Sequence, residues 1–413
     1  MEYNLHKEIL KDKQIKKFSM YGFLKNLKFF EPYLLIFLMD NGISLFQIGI
    51  LFSIREIIIN VFEIPSGFIA DYLGRKKGLY ICFIFYIISF MVFFLTKSFS
   101  VAVIGMIFFG LGEAFRSGTH KAMIYTFLDS KGWTSEKTFV YGKTRSVSLL
   151  GSAFSSILGI LIILNVPSSG YIFLFSTIPY IIDFLLILSY PKFLDKGDIH
   201  AKTTFKQMLH SLIINVLKNS SLKKILIGDG LIESTLSAIK DFIQAILQSI
   251  IIGSSIIIIS GASPKDNLNI MLGIVYALMN LLGSLSSRRA YVLKRYRPGI
   301  FWINSYYWIL GIFLALIGIF INHYIIVCLL YLGLYIIKNS RKPLFVDEIE
   351  CYMEKSNRAT ILSISSQLKS FMLIILAPII GYLADNFGIH VTMYFLAALL
   401  IFTLPYTYLK KSL

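Results

Sequence analysis

The sequence predicts an all-α polytopic membrane protein: twelve transmembrane helices in two six-helix bundles, N-in and C-in. Three observations carry that prediction. The 413 residues are 56% hydrophobic and only 15% charged, with a mean hydropathy of +0.71, whereas a soluble domain dresses its surface with about 25% charged residues. Apolar runs recur from Phe23 to Leu409 with short polar breaks between them. Lys and Arg are concentrated in alternate breaks. The composition excludes an ordinary cytosolic enzyme, and the spread of the apolar runs excludes a soluble domain on a single anchor.

A spanning helix takes about 20 residues. In the first half the spans fall at roughly 22–40, 46–70, 78–96, 101–127, 142–164 and 170–190. In the second half they fall at roughly 223–249, 268–287, 300–321, 324–339, 358–384 and 390–409. Residues 1–21 are polar and Lys-rich with no short apolar core before a small-residue cleavage site, so they read as a cytoplasmic tail and not a signal peptide. The longest polar interval, 191–222, reads as a cytoplasmic connector between an N-terminal bundle at 22–190 and a C-terminal bundle at 223–413. The apolar stretch 250–260 is too short to span and reads as an extension of helix seven, or as a re-entrant or interfacial piece.

The orientation follows from charge. The expected inner segments carry Lys7, Lys11, Lys13, Arg75-Lys76-Lys77, Lys137, Lys143, Arg145, Lys192, Lys202, Arg288-Arg289, Arg341-Lys342 and Lys410-Lys411, among others. The expected outer loops carry only Lys97 and Lys265. That bias fixes both termini inside. It also accounts for the net charge of +17 without a nucleic-acid partner; the partner implied is the lipid bilayer. Cys82, Cys328 and Cys351 have neither metal-ligand spacing nor the numbers for a disulfide framework. No phosphate loop of the Walker type is present, which excludes ATP hydrolysis. No cofactor or metal is expected, and a monomer is.

Two short motifs echo each other. Gly67-Phe68-Ile69-Ala70-Asp71-Tyr72-Leu73-Gly74 ends helix two, and Gly381-Tyr382-Leu383-Ala384-Asp385-Asn386-Phe387-Gly388 ends helix eleven. These are equivalent positions if each half is an inverted three-plus-three repeat. The first continues into Arg75-Lys76-Lys77, and together the run resembles the signature loop of the major facilitator superfamily, Gly-x-Leu-Ala-Asp-Arg-x-Gly-Arg-Arg/Lys. Gly67, Ala70, Asp71, Gly74, Arg75 and Lys76 match as they stand; Tyr72 replaces the first basic residue. The resemblance implies a secondary transporter that alternates access to a central site. In physical terms Gly67 allows another helix to approach closely, and Gly74 makes the turn. Asp71 sits where it can face a neighbouring helix N-terminus and pair with Arg75, forming with Lys76 a gating latch that biases a two-state equilibrium.

Two features depart from the drug/proton antiporters of that family. Met106 stands where such members carry arginine ahead of Gly110 in helix four, and helix five offers Gly151 and Gly159 with no proline. Helix four instead carries Gly112-Glu113-Ala114-Phe115-Arg116-Ser117-Gly118-Thr119, which looks like a bacterial branch. The implied location is the bacterial cytoplasmic membrane.

Ionisable groups at membrane depth are functional candidates by default. Counting about 1.5 Å per residue from each helix start puts Glu31, Arg55, Glu56, Glu113, Arg116, Asp183, Glu233 and Lys369 near the midplane. Asp229 lies about one turn inward of Glu233, and Lys240 two turns outward. The family's cavity is lined mostly by helices one, four, seven and ten. That selects Glu31, Glu113, Arg116, Asp229 and Glu233 as the substrate and proton-coupling set, with Arg55, Glu56, Asp183, Lys240 and Lys369 as secondary intramembrane charges. Glu113 and Arg116 are three apart and Asp229 and Glu233 four apart, so each pair shares a helical face. Four acids against one base imply protonated carboxyls or a positively charged cargo. The function expected is efflux of a small organic solute by proton antiport. Proton-coupled uptake is the alternative on the same fold, and a transport-inactive sensor the alternative from another class. His120, beside Lys121, lies too near the inner end for a midplane relay and makes a poor metal site alone.

Overall fold

In the computed structural model the chain is helical almost throughout the residues it describes, 2–195, 220–253, 259–296, 299–350 and 358–407. In order the helices are α1 (Glu2–Lys11), α2 (Lys13–Lys25), α3 (Leu34–Asp40), α4 (Leu45–Leu73), α5 (Arg75–Phe94), α6 (Phe99–Arg116), α7 (Thr119–Ser130), α8 (Lys137–Asn165) and α9 (Tyr171–Leu188). They continue with α10 (Ser220–Ile239), α11 (Phe242–Gly253), α12 (Pro264–Tyr296), α13 (Gly299–Ile319), α14 (Tyr324–Glu350), α15 (Arg358–Phe387) and α16 (Ile389–Thr407). Among the described residues ten helical stretches are long and apolar enough to cross a membrane. The segments expected as the first and twelfth spans are not among the ten. The twelfth is α16, with a shorter apolar stretch at Ile389–Leu404. Most of the expected connector lies outside the described residues. Helix seven does extend, as α11, to Gly253, while residues 254–258 also lie outside them.

The first expected span is corrected: it is not one helix. α2 stops at Lys25, residues 26–33 form successive turns, and α3 resumes at Leu34. Pro32 supplies a reason, since it lacks an N–H and disfavours helical backbone in the residue before it. The orphaned groups find partners. Tyr180 Oη donates to the Lys25 carbonyl at 2.8 Å, Asn26 Nδ2 to the Gly22 carbonyl at 2.6 Å, and the Glu31 N–H to the Lys28 carbonyl at 3.0 Å. Such satisfaction is what lets unwound backbone persist at membrane depth. The expected N-terminal tail is helical as well. The Asp12 carboxylate accepts from the N–H groups of Gln14 (2.7 Å) and Ile15 (3.2 Å) to start α2, and Ile9, Ile15 and Phe18 are buried.

The chain divides into two compact units: Met1–Phe37 with Ile57–Ala201, and Leu38–Glu56 with Lys202–Leu413. Within the first, α5 packs on α6 and α9, and α2 on α8 and α9. Within the second, α13 packs on α14 and α16, and α10 on α15 and α16. These neighbour pairs recur half for half, and within the second unit α12 also packs extensively on α14. The interruption recurs too: Lys240 and Asp241 separate α10 from α11, and Tyr331 Oη donates to the freed Ile239 carbonyl at 3.3 Å. In the first unit the fourth span also breaks, at Ser117–Gly118, where Gly118 takes φ of 74°.

The first part of α4 belongs to the second unit because it is seamed to α15. The Asp385 carboxylate of the second echo motif accepts from the N–H groups of Leu45 (3.1 Å) and Phe46 (2.8 Å), capping α4. Ser53 Oγ donates to the Ile374 carbonyl at 2.7 Å. Gly49 lies against the Ala377 carbonyl and Gly381 against that of Leu45, so closely that neither has room for a Cβ. In the first unit Gly151 serves α2 likewise: a Cβ there would lie 2.6 Å from the Phe23 carbonyl oxygen. Gly67 is a correction. A Cβ at that position meets nothing within 4 Å, and the close approach in this motif is instead Gly78 against Ala70. Gly67→Ala should therefore leave the thermal unfolding midpoint in detergent unchanged or raised, since alanine favours helix over glycine by about 1 kcal/mol. Gly49→Ala and Gly151→Ala should lower it.

Candidate functional site

The five leading candidates divide between the units: Glu31, Glu113 and Arg116 in the first, Asp229 and Glu233 in the second. In the first unit Glu113 on α6 accepts from Arg116 Nε at 3.0 Å and Nη2 at 2.6 Å, the three-residue spacing placing both on one face. Its other oxygen accepts from Lys28 Nζ at 3.3 Å, and Lys28 also lies 5.0 Å from the Phe109 ring centroid. Lys28 reaches Glu113 from the unwound segment, which also carries the half-buried Glu31. The broken first span and the fourth span are thus tied by charge.

The second unit repeats the tie with the signs exchanged. Asp229 and Glu233 stand one turn apart on α10, and Arg341 on α14 donates through Nη2 to both, to Glu233 at 2.9 Å. Ser365 Oγ of α15 donates to the second Asp229 oxygen at 2.9 Å, with Lys342 Nζ 3.6 Å from it. Arg341 is only 1% exposed. The expectation of acids in excess is corrected for three of its four acids: Glu113, Asp229 and Glu233 are each held by a cation.

The secondary charges are mostly paired as well. Glu56 accepts from Arg55 Nη2 at 3.1 Å and from Ser370 Oγ of α15 at 2.8 Å. Lys240 lies 4.0 Å from Asp241, which accepts from Tyr276 Oη at 2.7 Å. Lys369 is half-buried on α15. Asp183 differs. It is 0% exposed in α9, and neither carboxyl oxygen has a hydrogen-bond partner among the described residues; the hydroxyls of Tyr21 and Tyr86 lack one too.

In the signature loop Gly74 turns with φ of 114°, a conformation that side chains other than glycine disfavour. Arg75 Nη1 donates to Thr126 Oγ1 at 2.7 Å. Lys76 Nζ donates to the carbonyls of Leu188 (3.2 Å) and Tyr190 (2.7 Å), and its N–H to Asp195 Oδ1 at 2.8 Å. The Asp71 side chain lies outside the described residues. The acid placed at the start of α5, where a carboxylate offsets the positive helix end, is Asp195, just beyond α9.

Sequence reasoning missed Lys25, Lys28, Arg341 and Asp195. Lys25 and Lys28 stand inside the first apolar run, where a scan for cations finds them. Arg341 was assigned to an inner loop because the apolar run ends near residue 339, yet α14 continues to Glu350. Removing a partner from a buried ion pair leaves an uncompensated charge and costs about 3–5 kcal/mol. Arg341→Met should accordingly destabilise the protein far more than Glu113→Gln does, because the Glu113 cluster is partly open to solvent. Adding Asp229→Asn and Glu233→Gln to Arg341→Met should recover much of the loss in a thermal unfolding series.

Comparison with known proteins gives this geometry its setting. Residues 26–337 match the family model described as Major Facilitator Superfamily. A Bacillus subtilis (strain 168) protein, "Uncharacterized MFS-type transporter YxaM", is 30% identical over 90 residues, a match covering 22% of this chain and 23% of that one. Among solved structures, a mutant of the nucleoside transporter NupG superposes with a TM-score of 0.81 at 13% identity, over 96% of this chain and 100% of that one. A bacterial homologue of the human lysosomal transporter Spinster, in an inward-facing and occupied conformation, gives 0.72 at 11% identity over 95% of each chain. These likenesses show the fold, and the family match covers most of the sequence. The chain belongs to the Major Facilitator Superfamily and is a multi-pass membrane transporter of small molecules, not an enzyme.

Proposed function

We propose that this transporter is proton-coupled and works by alternating access, with twelve spans in two six-helix bundles at 22–190 and 223–413, both termini in the cytoplasm, in a bacterial cytoplasmic membrane. The basic inner loops and the helix pairs that recur between the two units support that arrangement. The observation that carries proton coupling is Asp183.

A carboxylate fully buried without donors costs several kcal/mol, so such a site suits the neutral acid. The titratable groups around it are Lys25 and Tyr21 from α2, Cys82 from α5, Tyr180 on its own helix, and Tyr190 just past it. Lys25 is tied to the same helix, its carbonyl accepting from Tyr180 Oη at 2.8 Å, and its side chain forms no ion pair among the described residues. A proton held on Asp183 in one state and released towards Lys25 and water in the other gives the two-state equilibrium the differential affinity that coupling needs. Glu113, Asp229 and Glu233, each bound to a cation, act in this reading as fixed struts between spans. Glu31, in the unwound segment, remains a member of the site together with Arg116.

Efflux by antiport drew its support from free acids competing between proton and cationic cargo. With those acids paired, the charge pattern favours proton and cargo moving together as strongly as exchange. Proteoliposomes containing a pH-sensitive dye, challenged in turn with uridine (a nucleoside, as for the NupG neighbour), succinate, ethidium and glucose, separate the two. Acidification of the lumen on cargo entry means co-transport; alkalinisation means exchange. Asp183→Asn should abolish cargo-linked proton movement at least about tenfold while leaving the unfolding midpoint unchanged. Undiminished proton movement in that variant, or cargo movement with no proton flux in the native protein, overturns the coupling.

A further inference from the structure

A cavity of about 250 Å³ opens in the first unit between α2, the α6–α7 break and α8. Lys25, Arg116, His120, Lys121 and Arg145 line it, and no carboxylate does. The nearby acid, Glu113, is already occupied by Arg116 and Lys28. Arg145 forms no ion pair among the described residues; Lys121 lies over the rings of Tyr125 (5.5 Å) and Tyr141 (5.0 Å) without one. His120 is stacked on Tyr21, ring centroids 3.6 Å apart, which fixes its position at the wall. Neutral polar groups of Asn26, Thr144 and Ser148 complete the lining.

Like charges gathered around one void repel each other, and the repulsion is costly without a counter-charge. Orientation of the chain in the membrane needs cations near the inner face, but it does not need them to converge on a common cavity. We propose that this cavity binds a small organic anion through its carboxylate or phosphate group, and that this anion is the cargo. The cargo part of the inference rests on the transporter reading above; the binding part does not. The volume falls below the roughly 300–1,000 Å³ of pockets for drug-sized ligands and suits a compact solute. Arg145 offers a planar guanidinium group matched to a two-oxygen anion, Lys25 and Lys121 add point charges, and Arg116, whose Nε and Nη2 are engaged by Glu113, lines the wall beside them.

The position relative to Asp183 gives the site a coupling sign. Lys25 is held against the helix that carries Asp183, since Tyr180, three residues before Asp183 and on the same helical face, donates to the Lys25 carbonyl at 2.8 Å; an anion seated on Lys25 offsets its positive charge there and favours a proton on the carboxyl. By reciprocity the proton favours the anion. Proton and cargo then bind together, which is the thermodynamic requirement for co-transport and the opposite of the competition that exchange needs.

The test uses the purified full-length protein in neutral detergent, with inorganic phosphate and succinate as probes and glucose and choline as controls. A ligand that binds the folded state raises the unfolding midpoint with its concentration. Phosphate or succinate should give a saturable rise that weakens with added sodium chloride, and the controls none. Lys25→Gln and Arg145→Gln should each weaken apparent affinity at least about tenfold, the equivalent of one charge-assisted hydrogen bond. Arg145 is exposed, so its variant reads out binding even where Lys25→Gln fails to fold. Stabilisation by both anions that is unaffected in Arg145→Gln and Lys25→Gln overturns the site. A shift produced only by added phosphatidylglycerol overturns the cargo assignment in favour of a lipid headgroup. Cargo-linked proton flux with an uncharged solute and no anion binding overturns this inference while sparing the coupling proposal. Anion binding without any transport overturns the cargo assignment and leaves the binding site standing.

Discussion

A charge within a bilayer must find a partner, reach water or give up its charge, and the interior of this protein is organised by that constraint. Glu113, Asp229, Glu233 and Glu56 find partners. Lys121 and Arg145 reach an open cavity. Asp183 has neither option. The three outcomes sort the ionisable residues into paired charges between helices, cations facing a cavity and one unpartnered buried acid, and the proposed roles follow that sorting.

The two units solve the same mechanical problem with opposite polarity. In one, an acid on the fourth span receives a lysine from the broken first span; in the other, an arginine on the tenth receives two acids from the broken seventh. Each tie is made to an interrupted span, and at both interruptions a tyrosine hydroxyl takes up a freed carbonyl, Tyr180 at Lys25 and Tyr331 at Ile239. Unwound backbone at depth is tolerable only when so satisfied, and interrupted helices in corresponding positions are where transporters of this kind build their sites. The charge ties keep the loosened segments in register without consuming every polar group nearby.

Much of this was legible in the sequence. The boundaries of α4, α5, α8 and α9 follow from apolar run length, and the shared faces of Glu113–Arg116 and Asp229–Glu233 follow from helical spacing. The echo of the Asp71 motif at Asp385 was legible as a repeat, but the role of Asp385 was not: it caps α4 from a helix distant in sequence. What escaped was long-range. Hydropathy averages over Pro32 and reports one span where there are two pieces. It ends the tenth span before Arg341, although the helix runs on and carries that guanidinium back to Asp229. Sequence spacing lists the acids on a face; it does not say which cation from a distant helix arrives to hold them. Counting four acids against Arg116 alone left out Lys28, Arg341 and Lys342, the cations that distant segments bring to Glu113, Asp229 and Glu233.

The central claim is that Asp183, alone in its apolar surroundings, carries an exchangeable proton while the other acids stay ionised in their pairs. Infrared difference spectroscopy of the protein in lipid at neutral pH addresses it directly, through the carbonyl stretch that only a protonated carboxylic acid shows. The account predicts such a band in the native protein, lost in Asp183→Asn and retained in Glu113→Gln and Asp229→Asn. A spectrum without the band, or one in which it survives Asp183→Asn and disappears with Glu113 or Asp229, would contradict it.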